Sequence, residues 1–188
     1  EEELNSKSIP YKIFGGFRFF ERAEVKDVLA YLRVSVNTSD DSSFERTINN
    51  PPRGLGEKTM RVIREHSKIS QKSMWDCVND PNFISTIGAR ASSSIQSYLS
   101  IIRNLQNIIK DANLRTIISD IISLSGLNNY YETKKTDESL SKQENLEELV
   151  STAERFSANN SDSENIIQDF LDNASLEAGE YQSKINED

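Results

Sequence analysis

Residues 44–60 read Phe44-Glu45-Arg46-Thr47-Ile48-Asn49-Asn50-Pro51-Pro52-Arg53-Gly54-Leu55-Gly56-Glu57-Lys58-Thr59-Met60. Helical spacing stops at the Asn-Asn-Pro-Pro run, because proline lacks an N–H and disfavours the α conformation in the residue before it. It resumes at Glu57 and continues through Met60, Val62 and Ile63. Between the two helices lies Gly54-Leu55-Gly56. Two glycines let the backbone approach a ligand closely, Leu55 pins the turn to a core, and the next helix opens with unpaired N–H groups suited to a phosphate. Arg53, Lys58 and Arg61 add positive charge, and the Thr59 hydroxyl can donate to a backbone phosphate. The pattern predicts a helix-hairpin-helix that grips duplex DNA without reading its bases. A tight helix–helix connection with no ligand is the competing reading, and spacing alone leaves both open.

Helical patterns extend outward on both sides. Val25, Val28, Leu29, Leu32 and Val36 recur at three- and four-residue steps from Arg22 to about Val36, and a shorter helix capped by Asp40 or Asp41 turns Phe44 and Ile48 inward. Downstream, residues 73–78 form a short helix with Ser73 as cap and Trp75 as core anchor, interrupted by Pro81. The longest helix is expected from Gly88 to about Asp111, with a wide stripe through Ile95, Tyr98, Leu99, Ile102, Leu105 and Ile109 that makes it central to the core. Leu114–Ser125 is a further helix closed by Gly126. Residues 133–143 read as an exposed loop, followed by helices through Leu146, Leu149, Val150, Ala153 and Phe156 and through Ile166, Ile167, Phe170, Leu171 and Ala174, with a frayed tail beyond Gly179. Upstream, Pro10-Tyr11-Lys12-Ile13-Phe14 alternates as a short strand ending at Gly15-Gly16, and a lone strand has nothing to pair with. The expected fold is therefore an all-α, irregular multi-helix domain with an orphan N-terminal β segment.

Two weaker echoes of the hairpin, Ile87-Gly88-Ala89-Arg90 and Ser125-Gly126-Leu127, read as ordinary helix ends. The paired acids Asp40-Asp41 and Glu147-Glu148 read as capping and helix-surface groups. His66 is expected at the surface, and Phe19 and Phe20 are expected to pack at the entrance to the following helix.

The 188 residues carry a net charge of −8, which argues against a protein that coats nucleic acid, although an average can conceal a local patch. Residues 9–72 hold 12 basic and 8 acidic side chains, whereas residues 133–188 hold 5 and 14. That asymmetry fits one face meeting phosphate while the rest stays solvated. No apolar run approaches the length needed to span a bilayer, so no membrane partner is expected. Glu1-Glu2-Glu3-Leu4 lacks the pattern of a secretory signal, and one cysteine, Cys77, with one histidine leaves neither a disulfide nor a zinc set, so a cytoplasmic setting is expected. A nucleotide-binding loop needs Gly-x-x-x-x-Gly-Lys-[Ser/Thr] after a strand; in Gly56-Glu57-Lys58-Thr59 a glutamate separates Gly from Lys and the preceding element is helical, so no ATP site is expected.

Residues 9–27, Ile-Pro-Tyr-Lys-Ile-Phe-Gly-Gly-Phe-Arg-Phe-Phe-Glu-Arg-Ala-Glu-Val-Lys-Asp, resemble the stretch after motif IV in bacterial UvrD/PcrA/Rep-type DNA helicases, superfamily I translocases moving 3′ to 5′. Residues 49–56 resemble their glycine-rich hairpin, with Leu55 in place of the usual isoleucine, a change that keeps the apolar pin. Glu144-Asn145-Leu146-Glu147-Glu148-Leu149 and Ala174-Ser175-Leu176-Glu177-Ala178-Gly179-Glu180 resemble later stretches of the family, in the same order and spacing. The resemblance implies the helical accessory subdomain called 2B, inserted in the second motor domain. Residues 1–20 would be the motor's edge and hinge, 21–176 the subdomain, and 177–188 the way back to the motor, which accounts for the orphan strand. It implies a non-catalytic part of a DNA repair or replication helicase that contacts duplex DNA at a single-strand/double-strand junction and tunes unwinding by swivelling. ATP and Mg would serve the parent hydrolase and no cofactor this chain; its own motor domains and repair proteins would be further partners. Duplex contact is expected at Arg53, Gly54, Leu55, Gly56, Lys58 and Thr59. The alternative is an autoinhibitory or protein-interaction arm with little DNA binding of its own.

Overall fold

A computed structural model describes residues 18–185, with side chains through residue 178. The strand expected at residues 10–14 and its Gly15-Gly16 turn lie outside the described residues. After a 3-10 turn at Phe19–Glu21 come ten helices, and no strand occurs among the described residues. They are α1 (Ala23–Val36), α2 (Asp41–Ile48), α3 (Glu57–Ser70), α4 (Met74–Asn79), α5 (Pro81–Ser85), α6 (Ala89–Ile108), α7 (Leu114–Ser125), α8 (Leu127–Lys134), α9 (Asp137–Asn159) and α10 (Ile166–Ile185). The protein is all-α.

The α6 stripe is in the core as expected, with Ile95, Tyr98, Leu99, Ile102 and Leu105 fully buried and Ile109 packed at its margin, and the core centres equally on α1. Its Val25, Val28, Leu29 and Leu32 are buried as expected, but so are Ala30, Tyr31 and Val34 on other faces. It packs against α2, α6, α7 and α9, so it has almost no solvent side. Two acids are buried with it, each partnered: Asp27 receives the Arg46 guanidinium from α2 at 2.7 Å, and Glu24 accepts from the Asn145 amide on α9 at 2.6 Å. Asn145 also accepts from Arg22, which ties Asn145 in the Glu144–Leu149 stretch to the entrance of α1. Val36, expected inward, is 48% exposed because it falls at the last residue of the helix, beyond its packing partners.

The caps are largely where side-chain chemistry puts them. The Asp40 carboxylate accepts from the Ser43 N–H, Ser73 from Asp76 and Asn113 from Thr116, which satisfies first-turn donors. Asp41 is spent on the Met74 N–H at 2.7 Å, linking α2 to α4. Pro81 does more than interrupt: with Asp80 as cap it occupies the first turn of α5, where a missing N–H costs nothing. Trp75 is only partly buried, and Met74, Cys77 and Val78 are the core residues of α4. Val62 also faces outward, while Met60 and Ile63 anchor α3. His66 is half-buried, its ring stacked on Phe83 at 4.0 Å. Phe19 and Phe20 are buried at the entrance to α1, Phe20 edge-on to Phe170.

The largest departure from the sequence reading is at residues 133–143. Instead of a loop, α8 runs to Lys134, and the longest helix of the described chain, the 23-residue α9, starts at Asp137. Thr136 and Ser139 form a reciprocal cap: the Thr136 hydroxyl accepts from the Ser139 N–H, and the Ser139 hydroxyl accepts from the Thr136 N–H. Glu138 and Lys142 pair one turn apart, and the Lys142 ammonium lies 5.6 Å from the centre of the Tyr131 ring. Leu140 faces solvent, so the first turns carry no apolar stripe for periodicity to detect. Likewise α10 continues past Gly179 to Ile185, where the sequence reads as frayed.

Candidate nucleic-acid interface

Residues 49–56 connect α2 to α3 through a turn held from inside. The Asn49 side chain accepts from the Arg53 and Leu55 N–H groups at 2.8 and 3.2 Å and donates to the Leu55 carbonyl at 2.7 Å, so one amide spans the whole turn. Leu55 is buried, the pin expected of it. Gly54 has φ +77°, a left-handed conformation that costs a side chain roughly 1–2 kcal/mol. Gly56 differs: at φ −79° any residue is allowed, and a Cβ there would meet nothing within 4 Å. Open space beside its backbone is what close approach by a ligand requires.

Arg53 is not presented to solvent phosphate. Its guanidinium is turned inward, donating to the carbonyls of Thr47 (3.0 Å), Ile48 (3.3 Å) and Pro51 (3.2 Å), to the Tyr31 hydroxyl (2.7 Å) and to the Ser125 carbonyl (2.9 Å). Tyr31 in turn donates to the Asn50 and Thr47 carbonyls, and the Thr47 hydroxyl meets that of Tyr98 at 2.7 Å. A helix ends by leaving carbonyls without partners, and the last carbonyls of both α2 and α7 converge here. A forked, permanently charged donor is the one side chain able to reach several of them at once. Burial pushes the Tyr31 hydroxyl up to about 12 against the opposing pull of Arg53, and burial pushes Tyr98 up as well.

The outer side of the turn is a groove of about 530 Å³. On one wall stand Gly54, Lys58, Thr59 and the exposed Val62, and on the other Gly88, Ala89 and Arg90. Neither α3 nor α6 has a side-chain cap; the Thr59 N–H turns back to the Gly56 carbonyl at 2.9 Å, and the earlier N–H groups of each helix start beside the groove have no side-chain partner. The Arg90 guanidinium lies 3.7 Å from where a Gly54 Cβ would stand. Lys58 and Arg90 are exposed, and among the described residues neither takes part in an ion pair. The acid in the first turn of α3 is neutralised from behind. Arg64 bridges Glu45 and Glu57, and its guanidinium holds the Glu57 carboxyl below the usual carboxylate range.

Of the six residues expected to contact DNA, Gly54, Lys58 and Thr59 line the groove, Gly56 opens the helix above it, and Leu55 and Arg53 support the turn from within. Both glycine echoes pack around this turn. Gly88, read from sequence as a helix end, is the uncapped start of α6 and brings Arg90 with it. Ser125-Gly126 supplies the carbonyl under Arg53, and Pro51 lies against Gly126. Arg90 is the functional candidate that sequence reasoning missed. The available signal was Gly88 ahead of a long helix, which reads equally as the end of the preceding one.

Gly56-Glu57-Lys58-Thr59 does not fit a nucleotide-binding loop. The turn before it follows helix α2 rather than a strand, and Arg64 draws Glu57 back over α3. No helix among the described residues is long and apolar enough to cross a membrane.

The whole chain, residues 1–188, matches the family described as UvrD-like helicase C-terminal domain. The chain belongs to that family. DNA helicase II of Escherichia coli (strain K12) is 40% identical over 189 residues, covering 100% of this chain and 26% of the relative. DNA helicase II of Haemophilus influenzae is 39% identical over 184 residues, with 97% and 25% covered. ATP-dependent DNA helicase PcrA of Staphylococcus epidermidis is 32% identical over 181 residues, with 95% and 24% covered. The chain spans about a quarter of the length of these relatives.

Proposed function

We propose that this chain is the non-catalytic 2B-type accessory subdomain of a 3′ to 5′ ATP-dependent DNA helicase. It holds duplex DNA ahead of the fork and regulates unwinding by swivelling against its own motor domains. The observation that carries this reading is the groove where the uncapped starts of α3 and α6 converge, with Lys58 and Arg90 free of carboxylates beside the left-handed Gly54. Backbone N–H groups at helix starts plus two cations take phosphate oxygens at any sequence, so contact there would be weak, strongly salt-dependent and blind to bases. ATP and Mg would act in the remainder of the helicase.

Binding of a labelled hairpin duplex, measured across a salt series, tests this. Loss of Lys58 or Arg90 by substitution with alanine should reduce the slope of log affinity against log salt by about one each. If Gly54→Val combined with Lys58→Ala leaves affinity unchanged, the duplex assignment is wrong. The acidic excess of residues 133–188 favours a second reading, an autoinhibitory or protein-interaction arm. That reading predicts no duplex binding by the chain even at low salt, together with faster unwinding when the chain is deleted from the helicase.

A further inference from the structure

A second cationic notch, of about 270 Å³, opens between α1, α2 and α10. Lys26 and Arg33 lie seven residues apart on α1 and so project from one face, and Arg46 reaches in from α2. The floor is apolar, made by Leu29 and Ala30, while Ser42 and Ser175 supply hydroxyls at the rim. No acid lines the notch itself. The carboxylates facing this region are Asp27, already bound to Arg46, and Asp40 and Asp172, which line a neighbouring groove that shares Arg33 and Ser175. Lys26 is exposed, and neither it nor Arg33 forms an ion pair among the described residues; the Arg33 guanidinium donates to the Ser175 hydroxyl at 2.7 Å. In a chain of net charge −8, Lys26 and Arg33, with Arg46 already matched by Asp27, leave two uncompensated positive charges at one small concavity, a local reversal of sign.

We infer that this notch is a second binding site for a nucleic-acid backbone phosphate. Three arguments select that ligand. The Lys26 ammonium and the Arg33 guanidinium, side by side on one helix face and without carboxylate partners among the described residues, suit an anion with several acceptor oxygens better than a single carboxylate. The small apolar floor accommodates the carbons of an attached sugar. A volume of about 270 Å³ does not admit an acidic protein helix, whose diameter with side chains is about 10–12 Å. The site is distinct from the groove at Gly54. Ser42 stands at the start of α2 and the glycine turn beyond its end, and eight residues of helix set them on the order of 12 Å apart, too far for one phosphate. The inference stands or falls separately from the duplex reading of that turn.

The test is an amide chemical-shift titration of the whole chain with a short single-stranded oligonucleotide and, in parallel, with the same sequence as a blunt duplex. Amides of Lys26, Arg33, Ser42 and Ser175 should shift, and the strand form that moves them at lower concentration identifies the source of the phosphate. Lys26→Gln, at an exposed position whose ammonium has no partner among the described residues, should keep the melting temperature of the parent and weaken that response roughly threefold. Adding Arg33→Gln should weaken it roughly tenfold. If these amides stay still with millimolar DNA of either form, the inference is overturned, whether or not Gly54 and Arg90 respond. It is equally overturned if the two variants bind as tightly as the parent.

Discussion

Replacing Arg53 by methionine tests whether this residue is an internal strut or a phosphate contact. Methionine keeps much of the stem and removes every donor. The change strips partners from the Thr47, Ile48, Pro51 and Ser125 carbonyls and from the Tyr31 hydroxyl. The three carbonyls served by one nitrogen share a single donor group, so they do not add. The bonds to Tyr31 and Ser125 are the shorter pair formed by the other. Hydrogen bonds to a charged group contribute about 1.5–3 kcal/mol each, and water can replace some of them because Arg53 is only partly buried. A loss of about 3 kcal/mol follows, which for a chain of this size lowers Tm by roughly 6–12 °C. Arg53→Lys should recover less than half, since an ammonium cannot reach the α2 and α7 carbonyls together. Urea unfolding followed by circular dichroism measures both. A stability within about 0.5 kcal/mol of the parent for Arg53→Met would refute the strut. So would a variant of parental stability whose duplex binding had lost about one unit of salt slope, which would return Arg53 to the phosphate.

The two glycines of the turn separate cleanly. Gly54→Ala should cost about 1–2 kcal/mol in urea unfolding because of its positive φ, whereas Gly56→Ala, in an allowed conformation with open space, should stay within about 0.5 kcal/mol. Thr136→Ala removes half of the reciprocal cap and should cost about 1 kcal/mol, with hydrogen exchange accelerated over the first turn of α9. The Tyr31 hydroxyl titrates at about 12 in the fold against an ordinary value of 10, so the stability linked to its neutral form is complete below pH 10 and declines as pH rises through 12. Unfolding measured from pH 9 to pH 12 should show that decline, and Tyr31→Phe should make it shallower.

How much of this was legible in the sequence follows from what makes each feature. The turn was readable because Asn-Asn-Pro-Pro and Gly-Leu-Gly act locally: proline stops a helix, glycine takes the left-handed conformation, and the leucine between must go somewhere dry. The caps at Asp40 and Ser73 and the apolar faces around Ile95 and Ile117 are local in the same sense. Residues 133–143 were misread because their helix rests on a reciprocal cap and an ion pair rather than on an apolar stripe, and Leu140 faces water. The burial of Glu24 and Asp27 was hidden because their partners, Asn145 and Arg46, lie 121 and 19 residues away.

By itself, then, the sequence determined the all-α class, most helix bounds and the existence of a glycine turn that exposes a helix start, because these depend on neighbours within a few residues. Only the tertiary structure decided which basic residues serve that turn. Arg53 goes inward because the carbonyl ends of two helices meet beneath it, one of them at Ser125, 72 residues further along the chain. Arg90 comes outward beside Gly54 because the start of α6 lines the same groove as the start of α3. A charge next to a motif in sequence faces a ligand only when the packing around it leaves no buried acceptor for it to satisfy.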